Sequence, residues 1–255
     1  MKFAIKPAAL AALLCFGCVA AVEPASAQEK RAVMPGFTLA PGSAKILLLR
    51  PKIKVGAQST GGMAEPNADW TEQAKANIGA ALTAQQSQLG NQVITAEEPV
   101  GDDAQKLADY RALFTVLANS VMVYQFFPGN RLPTKKRVGV FEWSIGPEIK
   151  NLPGTAGADY ALFIYTEDQY GSTGRKVAQL FAAMAGVGIT SGVHTGYAGL
   201  IDLKTGNLVW LNADPQMGGD VRQPDGAQRR VSQLLAGFPG RTTPAAEPAT
   251  VAAAK

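Results

Sequence analysis

Three pairs of neighbouring carboxylates are the first candidates for chemistry in this sequence: Glu97-Glu98, Asp102-Asp103 and Glu167-Asp168. Hydrolysis of a glycosidic bond needs two facing carboxyl groups, one acting as the acid and the other as the base or nucleophile. Successive residues of a strand point to opposite faces, so Glu167 and Asp168, at the end of a predicted strand, do not make such a pair. The other two pairs are better explained as a solvated loop and a helix cap. The carboxylates therefore do not predict a hydrolase.

His194 is the single histidine, and any Ser-His-Asp triad would have to use it. The sequence contains no Gly-x-Ser-x-Gly nucleophile motif and no Gly-Lys-Ser or Gly-Lys-Thr phosphate-binding motif. A zinc site would need more histidine or cysteine ligands than the mature chain offers. We therefore expect no catalytic residue, no cofactor and no metal site, and a polar structural role for His194.

The first 27 residues have the pattern of an export signal. A basic start with Lys2 and Lys6 precedes the apolar run 8–22, and the small residues 25–27 match a signal-peptidase site. We expect the mature chain to begin at Gln28, in the periplasm or at the inner face of the outer membrane of a bacterium. An uncleaved membrane anchor is the alternative. Cys18 loosely matches a lipoprotein cleavage site, so lipidation there is a second alternative to an ordinary apolar signal residue.

Composition indicates one globular domain. Hydrophobic residues make up 47% of the chain, and the net charge is +4. The basic residues are spread along the sequence, which excludes a nucleic-acid-binding stripe and leaves weak, peripheral membrane association open. We assign residues 28–43 to a lead-in segment, 44–238 to the domain and 239–255 to a disordered tail rich in Ala, Pro and Thr.

The hydrophobic pattern of the domain predicts an α/β fold in which a mixed β-sheet is flanked by α-helices. Strands are expected at 45–50, 91–96, 158–165, 197–203 and 208–213, and helices from Trp70, from Asp102 or Asp103, at 174–184 and from about 224 to 238. Phe141, Trp143 and Ile145 alternate, and Pro147 opens a short helix. In the last helix, Val231 and Leu234 are expected to pack inward, while Arg229 and Arg230 face solvent.

Glycines follow the helix at 174–184 at every fourth position: Gly188, Gly192 and Gly196. This spacing is typical of closely packed transmembrane helices, so one hypothesis is a membrane-inserted or helix-pairing segment. Ser191, His194 and Thr195 interrupt its apolar character. Glycines also mark the passage from a helix into a sheet, which is the alternative we favour.

Two further groups could bind a partner or a ligand. The basic triplet Lys135, Lys136 and Arg137 is typical of a solvated loop and could also form an anionic docking patch. Tyr165, Asp168 and Tyr170 are the residues that would line a small-ligand cleft, if the chain has one. Replacing Asp168 and Tyr170 together is the test that this hypothesis suggests.

A β-hairpin is predicted around Lys204-Thr205-Gly206-Asn207. Asp202 can accept hydrogen bonds from backbone groups, Gly206 can adopt a positive φ, and Trp210 can pack on the sheet, so all three have structural explanations. The stretches Gly157-Ala158-Asp159-Tyr160 and Asp202-Leu203-Lys204-Thr205-Gly206-Asn207-Leu208-Val209-Trp210 resemble the motifs of bacterial envelope proteins that include CsgG, the N-terminal domain of TolB and uncharacterised lipoproteins.

This resemblance covers residues 44–238 and implies a mixed sheet flanked by helices. The chain departs from the group in its weak lipobox, and it shows no strand pair suited to a CsgG-type pore, so channel formation is not implied. The sequence leads us to expect an exported, non-catalytic envelope interaction or assembly module, with envelope proteins or copies of itself as partners. A periplasmic small-ligand binder or hydrolase is the alternative.

Overall fold

The α/β architecture expected from the sequence is confirmed by a computed structural model, which describes residues 30–127, 140–155, 157–188 and 192–241. In these segments, an eight-stranded mixed sheet and four α-helices form one domain. The strands are β1 (Lys30–Val33), β2 (Lys45–Leu48), β3 (Lys52–Gln58), β4 (Ala64–Pro66), β5 (Gln92–Thr95), β6 (Tyr160–Gly171), β7 (Val193–Asp202) and β8 (Leu208–Asp214). The helices are α1 (Ala68–Gln85), α2 (Asp102–Val121), α3 (Thr173–Met184) and α4 (Pro224–Leu234).

The long strand β6 organises the sheet. It pairs antiparallel with β7 along one edge, while its other edge pairs in parallel with β2 and then with β3. The sheet runs β1-β8-β7-β6-β2-β5, and β4 extends it beside β3. Pro51 separates β2 from β3, and because proline has no backbone N–H it interrupts the ladder at the point where β6 changes partner.

The two faces of the sheet are covered by different helices. Leu162 and Ile164 of β6 point into the core beneath α1 and α4, which we call the α1/α4 face, whereas Phe163 points into the core beneath α2, the α2 face. Helix α1 buries residues at three- and four-residue spacing, the pattern expected of an amphipathic helix: Ala74, Ile78, Ala81 and Leu82. Its N-terminus is capped by Asn67, whose Oδ1 accepts a hydrogen bond from the Trp70 amide at 2.9 Å.

Several elements differ from the sequence-based expectations. Residues 28–43 were expected only to lead into the domain, yet β1 lies there and pairs with β8. Strands β3 and β4 were not expected at all. In the alternating segment 141–145, the structure has one isolated bridge, between Ser144 and Asn207, and no strand. Arg241 extends the ordered body past residue 238, because its guanidinium donates hydrogen bonds to Gln85 and Gln88.

The glycines after α3 do not lie on one helix. Helix α3 ends at Met184, Gly186 has a φ of 75°, and Gly196 lies inside β7. The helix-pairing hypothesis for this segment is therefore wrong, and the glycines mark the passage from helix to sheet. Across the described segments, no helix combines the length and the apolarity needed to cross a bilayer.

Candidate functional site

A buried ionic cluster lies on the α1/α4 face, where β6, β7 and α4 meet. Asp168 and Arg230 are both 0% exposed and form a bidentate pair, with two N–H···O contacts of 2.7 Å. The hydroxyl of Thr166 donates to the same carboxylate at 3.1 Å. The Nδ1 of His194 lies 2.8 Å from Asp168 Oδ1. Since a carboxylate only accepts hydrogen bonds, Nδ1 carries the proton.

All five guanidinium N–H groups of Arg230 have acceptors. Besides Asp168 and Thr166, they reach the backbone carbonyls of Gly218 at 3.1 Å and Gly219 at 3.3 Å. A buried ion pair is tolerated only where its remaining donors and acceptors are satisfied in this way. The cluster therefore ties α4 and the loop before it to the centre of the sheet.

The charge state of Asp168 follows from these contacts. Burial by itself raises the pKa of the carboxyl group, but the hydrogen bonds from His194 and Arg230 outweigh burial and hold the pKa below its usual value. Asp168 is thus an ionised group whose oxygens are already occupied.

The structure contradicts the expectation that Arg230 faces solvent. In α4, Arg230 belongs to the buried stripe formed by Ala227, Val231 and Leu234, while its neighbour Arg229 is exposed and pairs with Asp225. The signal was present in the sequence, because position 230 lies three residues after Ala227 and four before Leu234. What the sequence did not show was the carboxylate that pairs with it.

A second polar group surrounds Tyr170 beside the cluster. The Arg222 guanidinium lies 3.7 Å from the centroid of the Tyr170 ring and 4.5 Å from that of Trp70, and it is paired with Asp220 at 2.7 Å. Burial is the largest cause of a raised pKa for the Tyr170 hydroxyl. The hydroxyl accepts a hydrogen bond from the Val221 amide at 3.2 Å. Arg222 therefore makes cation–π contacts with both aromatic rings.

Tyr165 does not share a cleft with Asp168 and Tyr170. It lies on the opposite, α2 face, where its ring stacks on Tyr197 at 5.4 Å between centroids and its hydroxyl donates to Glu167. Burial raises the pKa of Tyr165, and the charge of Glu167 raises it further. The alternation of β6 separates odd-numbered from even-numbered residues, so the three side chains are placed on two faces.

A concavity of about 380 Å³ lies between β3, β4 and β6, and its lining includes Asp168 but neither Tyr165 nor Tyr170. Its polar lining includes Lys54, Glu167 and Gln169. Glu167 accepts a hydrogen bond from Gln169 Nε2 at 2.8 Å. These groups could bind a small polar molecule. Within the described segments, no three or more His, Cys, Asp or Glu residues come together as a metal site.

Helix α3 has its apolar side facing outward. Val177, Leu180, Phe181 and Met184 recur at i, i+3, i+4 and i+7, the spacing of one helix face, and each is between 47% and 68% exposed. None of the residues of α3 is fully buried. We call these four residues, with Val187 in the turn that follows, the α3 apolar face.

The opposite side of α3 is the one that the protein partly covers, and its residues are polar or small. The half-buried residues are Arg175, Ala178, Gln179 and Ala182. Arg175 donates a hydrogen bond to the Thr60 carbonyl at 3.3 Å, and the N-cap Ser172 accepts one from the Arg175 amide at 3.2 Å. Gly174 approaches Thr60 so closely that a Cβ would lie 2.3 Å from its hydroxyl. These contacts fix the first turn of α3 and its orientation.

The residues assigned to the hairpin are brought together. Asp202 Oδ1 accepts hydrogen bonds from the Lys204 and Thr205 amides at 2.7 and 3.1 Å. Gly206 has a φ of 76°, and Trp210 is fully buried with its ring edge against Phe238. The contacts of Asp202 and Trp210 and the backbone conformation of Gly206 therefore agree with structural roles for these three residues. Cys18 and the triplet Lys135, Lys136 and Arg137 lie outside the described residues.

Together, these features describe an α/β domain with a buried ionic cluster and with an outward-facing apolar side on α3. No protein-family model matches the chain, and a comparison with curated protein sequences found no match. Among solved structures, the chain is similar to the PelC dodecamer from Paraburkholderia phytofirmans in space group P6, with 14% identity and a TM-score of 0.37. A single-substitution variant of that dodecamer in space group C2 gives 15% identity and the same TM-score of 0.37.

Each of these alignments covers 84% of this chain and 98% of the PelC chain. At this TM-score, nothing about the fold or activity of this chain follows from the likeness. The resemblance to CsgG and the TolB N-terminal domain comes from sequence motifs and stays a prediction.

Proposed function

We propose that this chain is an exported, non-catalytic module that attaches to another component of the bacterial cell envelope through the α3 apolar face. The observation that carries the proposal is the orientation of α3, whose large apolar side chains point away from the body that holds the helix. In a protein that works alone, such a helix turns this side toward the core. Contiguous exposed apolar surface is typical of interaction sites.

Other features support a non-catalytic role. Asp168 is fully buried, and Arg230 occupies both oxygens of its carboxylate, so this group is not open to a substrate. The hydroxyl of Thr166 donates to the same carboxylate. The leader at residues 1–27 supports export. Envelope proteins or further copies of the chain are the partners that we propose for its sheet edges and for the loop at 134–137.

A pair of matched variants tests this function in cells. Replacing Leu180 and Phe181 by glutamine removes the centre of the α3 apolar face and keeps good helix formers. The control makes the same change at Leu113 and Val116 of α2, which are also exposed. After cell lysis and chemical cross-linking, we expect the α3 variant to be absent from the sedimenting envelope fraction and from the cross-linked products that the parent gives. The control variant should behave as the parent does. Equal behaviour of the two variants would contradict the proposal.

A small-ligand binder is the second candidate, favoured by the concavity between β3, β4 and β6. Lys54 and Glu167 offer charges of both signs at its edge. Paired substitutions Lys54→Met and Glu167→Gln would abolish binding of a periplasmic small molecule detected by native mass spectrometry and leave envelope attachment unchanged. Loss of attachment in this variant, with a stable fold, would favour the ligand-binding function over the α3 module.

A further inference from the structure

We infer that the α3 apolar face lies in the interfacial region of an anionic lipid membrane. The inference rests on the proposed function and names the envelope component that α3 contacts. Its basis is the inverted orientation of the helix together with its charge. A helix bound at a membrane surface buries its apolar side in the region between headgroups and acyl chains and keeps its polar side toward water. Here the polar side faces the protein body.

The charge of the segment is complementary to anionic lipid. Residues 173–187 contain Arg175 and Lys176 and no acidic residue. Lys176 is exposed and immediately precedes Val177, so its ammonium group can reach headgroup phosphates while its methylene chain lies along the apolar side. Arg175 instead holds the helix to the Thr60 carbonyl. The helix therefore combines a fixed attachment on one side with a cation and an apolar surface on the other.

The size of the face favours a membrane over a second copy of the chain. The α3 apolar face has five side chains, on one side of a helix about 18 Å long and in the turn that follows it. A stable protein interface uses about 20–30 residues on each partner. A short apolar helix side is too small for such an interface by itself. It is adequate for shallow insertion, where lipid chains adapt to any shape.

Shallow insertion also fits the composition of the face. Leu180, Phe181 and Met184 are large apolar side chains, and α3, with its 12 residues, is too short to span a bilayer. The turn after α3 adds Val187, which is 55% exposed. The contact is thus peripheral, through one helix and the turn that follows it.

Vesicle binding tests the inference directly. The protein is produced with Cys18→Ala, so that no acyl chain can be attached. The exported form that begins at Gln28 is then mixed with vesicles of phosphatidylethanolamine and phosphatidylglycerol or with vesicles of phosphatidylcholine alone. We expect flotation with the anionic vesicles and at least about fivefold weaker binding to phosphatidylcholine, because one surface cation contributes about that factor. Lys176→Glu should weaken binding to the anionic vesicles by a similar or larger factor.

The apolar contribution is tested with the matched glutamine pairs. Leu180→Gln with Phe181→Gln should lower the anionic-vesicle partition coefficient at least about tenfold, whereas Leu113→Gln with Val116→Gln should leave it unchanged. Phe181→Trp keeps the apolar face, and the emission that it adds to that of Trp70, Trp143 and Trp210, taken as the difference from the parent, should shift to the blue when the anionic vesicles are added. Circular dichroism and thermal unfolding establish that each variant is folded.

The results separate this inference from the proposed function. In one outcome, the α3 glutamine pair loses envelope attachment in cells, but the parent binds neither kind of vesicle. In that case α3 binds a protein, so the lipid inference is wrong while the proposed function stands. If the glutamine pair dissociates an oligomer in lipid-free solution, a second copy covers the face, and the inference is again wrong. If the pair changes neither vesicle binding nor attachment, both are wrong.

Discussion

Helices α3 and α4 make opposite use of the same kind of amphipathic sequence. Helix α4 turns inward and buries even a charged side chain, Arg230, because Asp168 is there to receive it. Helix α3 turns its polar and small side inward and leaves Phe181 in solvent at 63% exposure. The difference teaches that amphipathic periodicity locates a helix face, while the neighbours available to that face decide where it points.

The largest expected loss of stability follows from a substitution at Arg230 of α4. Arg230→Met should lower the free energy of unfolding by about 3–5 kcal/mol, because it leaves the Asp168 carboxylate buried and without its cation. Arg229→Met in the exposed neighbouring position should change it by less than about 0.5 kcal/mol. Urea unfolding of both variants measures the difference. The double variant Asp168→Leu with Arg230→Met should recover much of the loss, and no recovery would contradict this account of the pair.

A backbone position gives the next largest effect. A Cβ at Gly206 would lie 2.0 Å from the Gly146 carbonyl oxygen, in addition to the strain of a φ of 76°. Gly206→Ala should therefore cost about 2–4 kcal/mol. Gly154 has the same φ of 76° with nothing within 4 Å of the added carbon, so Gly154→Ala should cost only the backbone strain of about 1 kcal/mol. Similar thermal shifts for the two variants would show that the close approach to Gly146 does not matter.

Low pH should weaken the buried pair between Asp168 and Arg230 of α4. Because the folded pKa of Asp168 lies below its usual value, the unfolded state takes up the proton first as the pH falls. The contribution of Asp168 is complete above about pH 5 and is lost progressively below about pH 4, as the pH falls through the folded pKa. The expected result is a decrease in unfolding free energy below about pH 4 that is smaller in the variant with Asp168→Leu and Arg230→Met. Urea titrations at several pH values provide the measurement, and parallel curves for parent and variant would rule out this contribution.

The smallest expected effect is at α3. Leu180→Gln with Phe181→Gln should change the free energy of unfolding by less than about 0.5 kcal/mol, since the two side chains contact mainly water in the folded chain. Leu234→Gln on α4 introduces the same amide into the core and should cost about 2–4 kcal/mol. A large loss of stability from the α3 pair would mean that this face packs against the protein after all.

Much of the fold could be predicted from the sequence because apolar periodicity reports burial. The spacing in α1 and α2 and the hairpin between β7 and β8 are of this kind. Strand β3 was missed although Ile53, Val55 and Ala57 alternate with Lys52, Lys54 and Gly56, which is the pattern of a half-buried strand. Strands β1 and β4 are short and polar, and partners distant in the sequence determine their pairing.

The candidate site was less accessible to sequence reasoning. The alternation of β6 was enough to place Tyr165 away from Asp168 and Tyr170, and the buried stripe of α4 was enough to include Arg230. The meeting of Arg230 with Asp168 was not predictable, since the two residues are 62 positions apart. The outward direction of α3 was also hidden, because it depends on the fit of Gly174 and Arg175 against Thr60.

The shared strand β6 has a kinetic consequence. Its parallel pairing with β2 joins parts of the chain 114 residues apart, as the hydrogen bond from the Lys45 amide to Asp159 shows. Closing a loop of this length costs chain entropy before the sheet gains any contacts, so folding should be slow, on the millisecond-to-second scale of non-local topologies. The amide protons of β6, bonded to strands on both edges, should then be among the last to exchange with heavy water, because they open only when the whole domain unfolds.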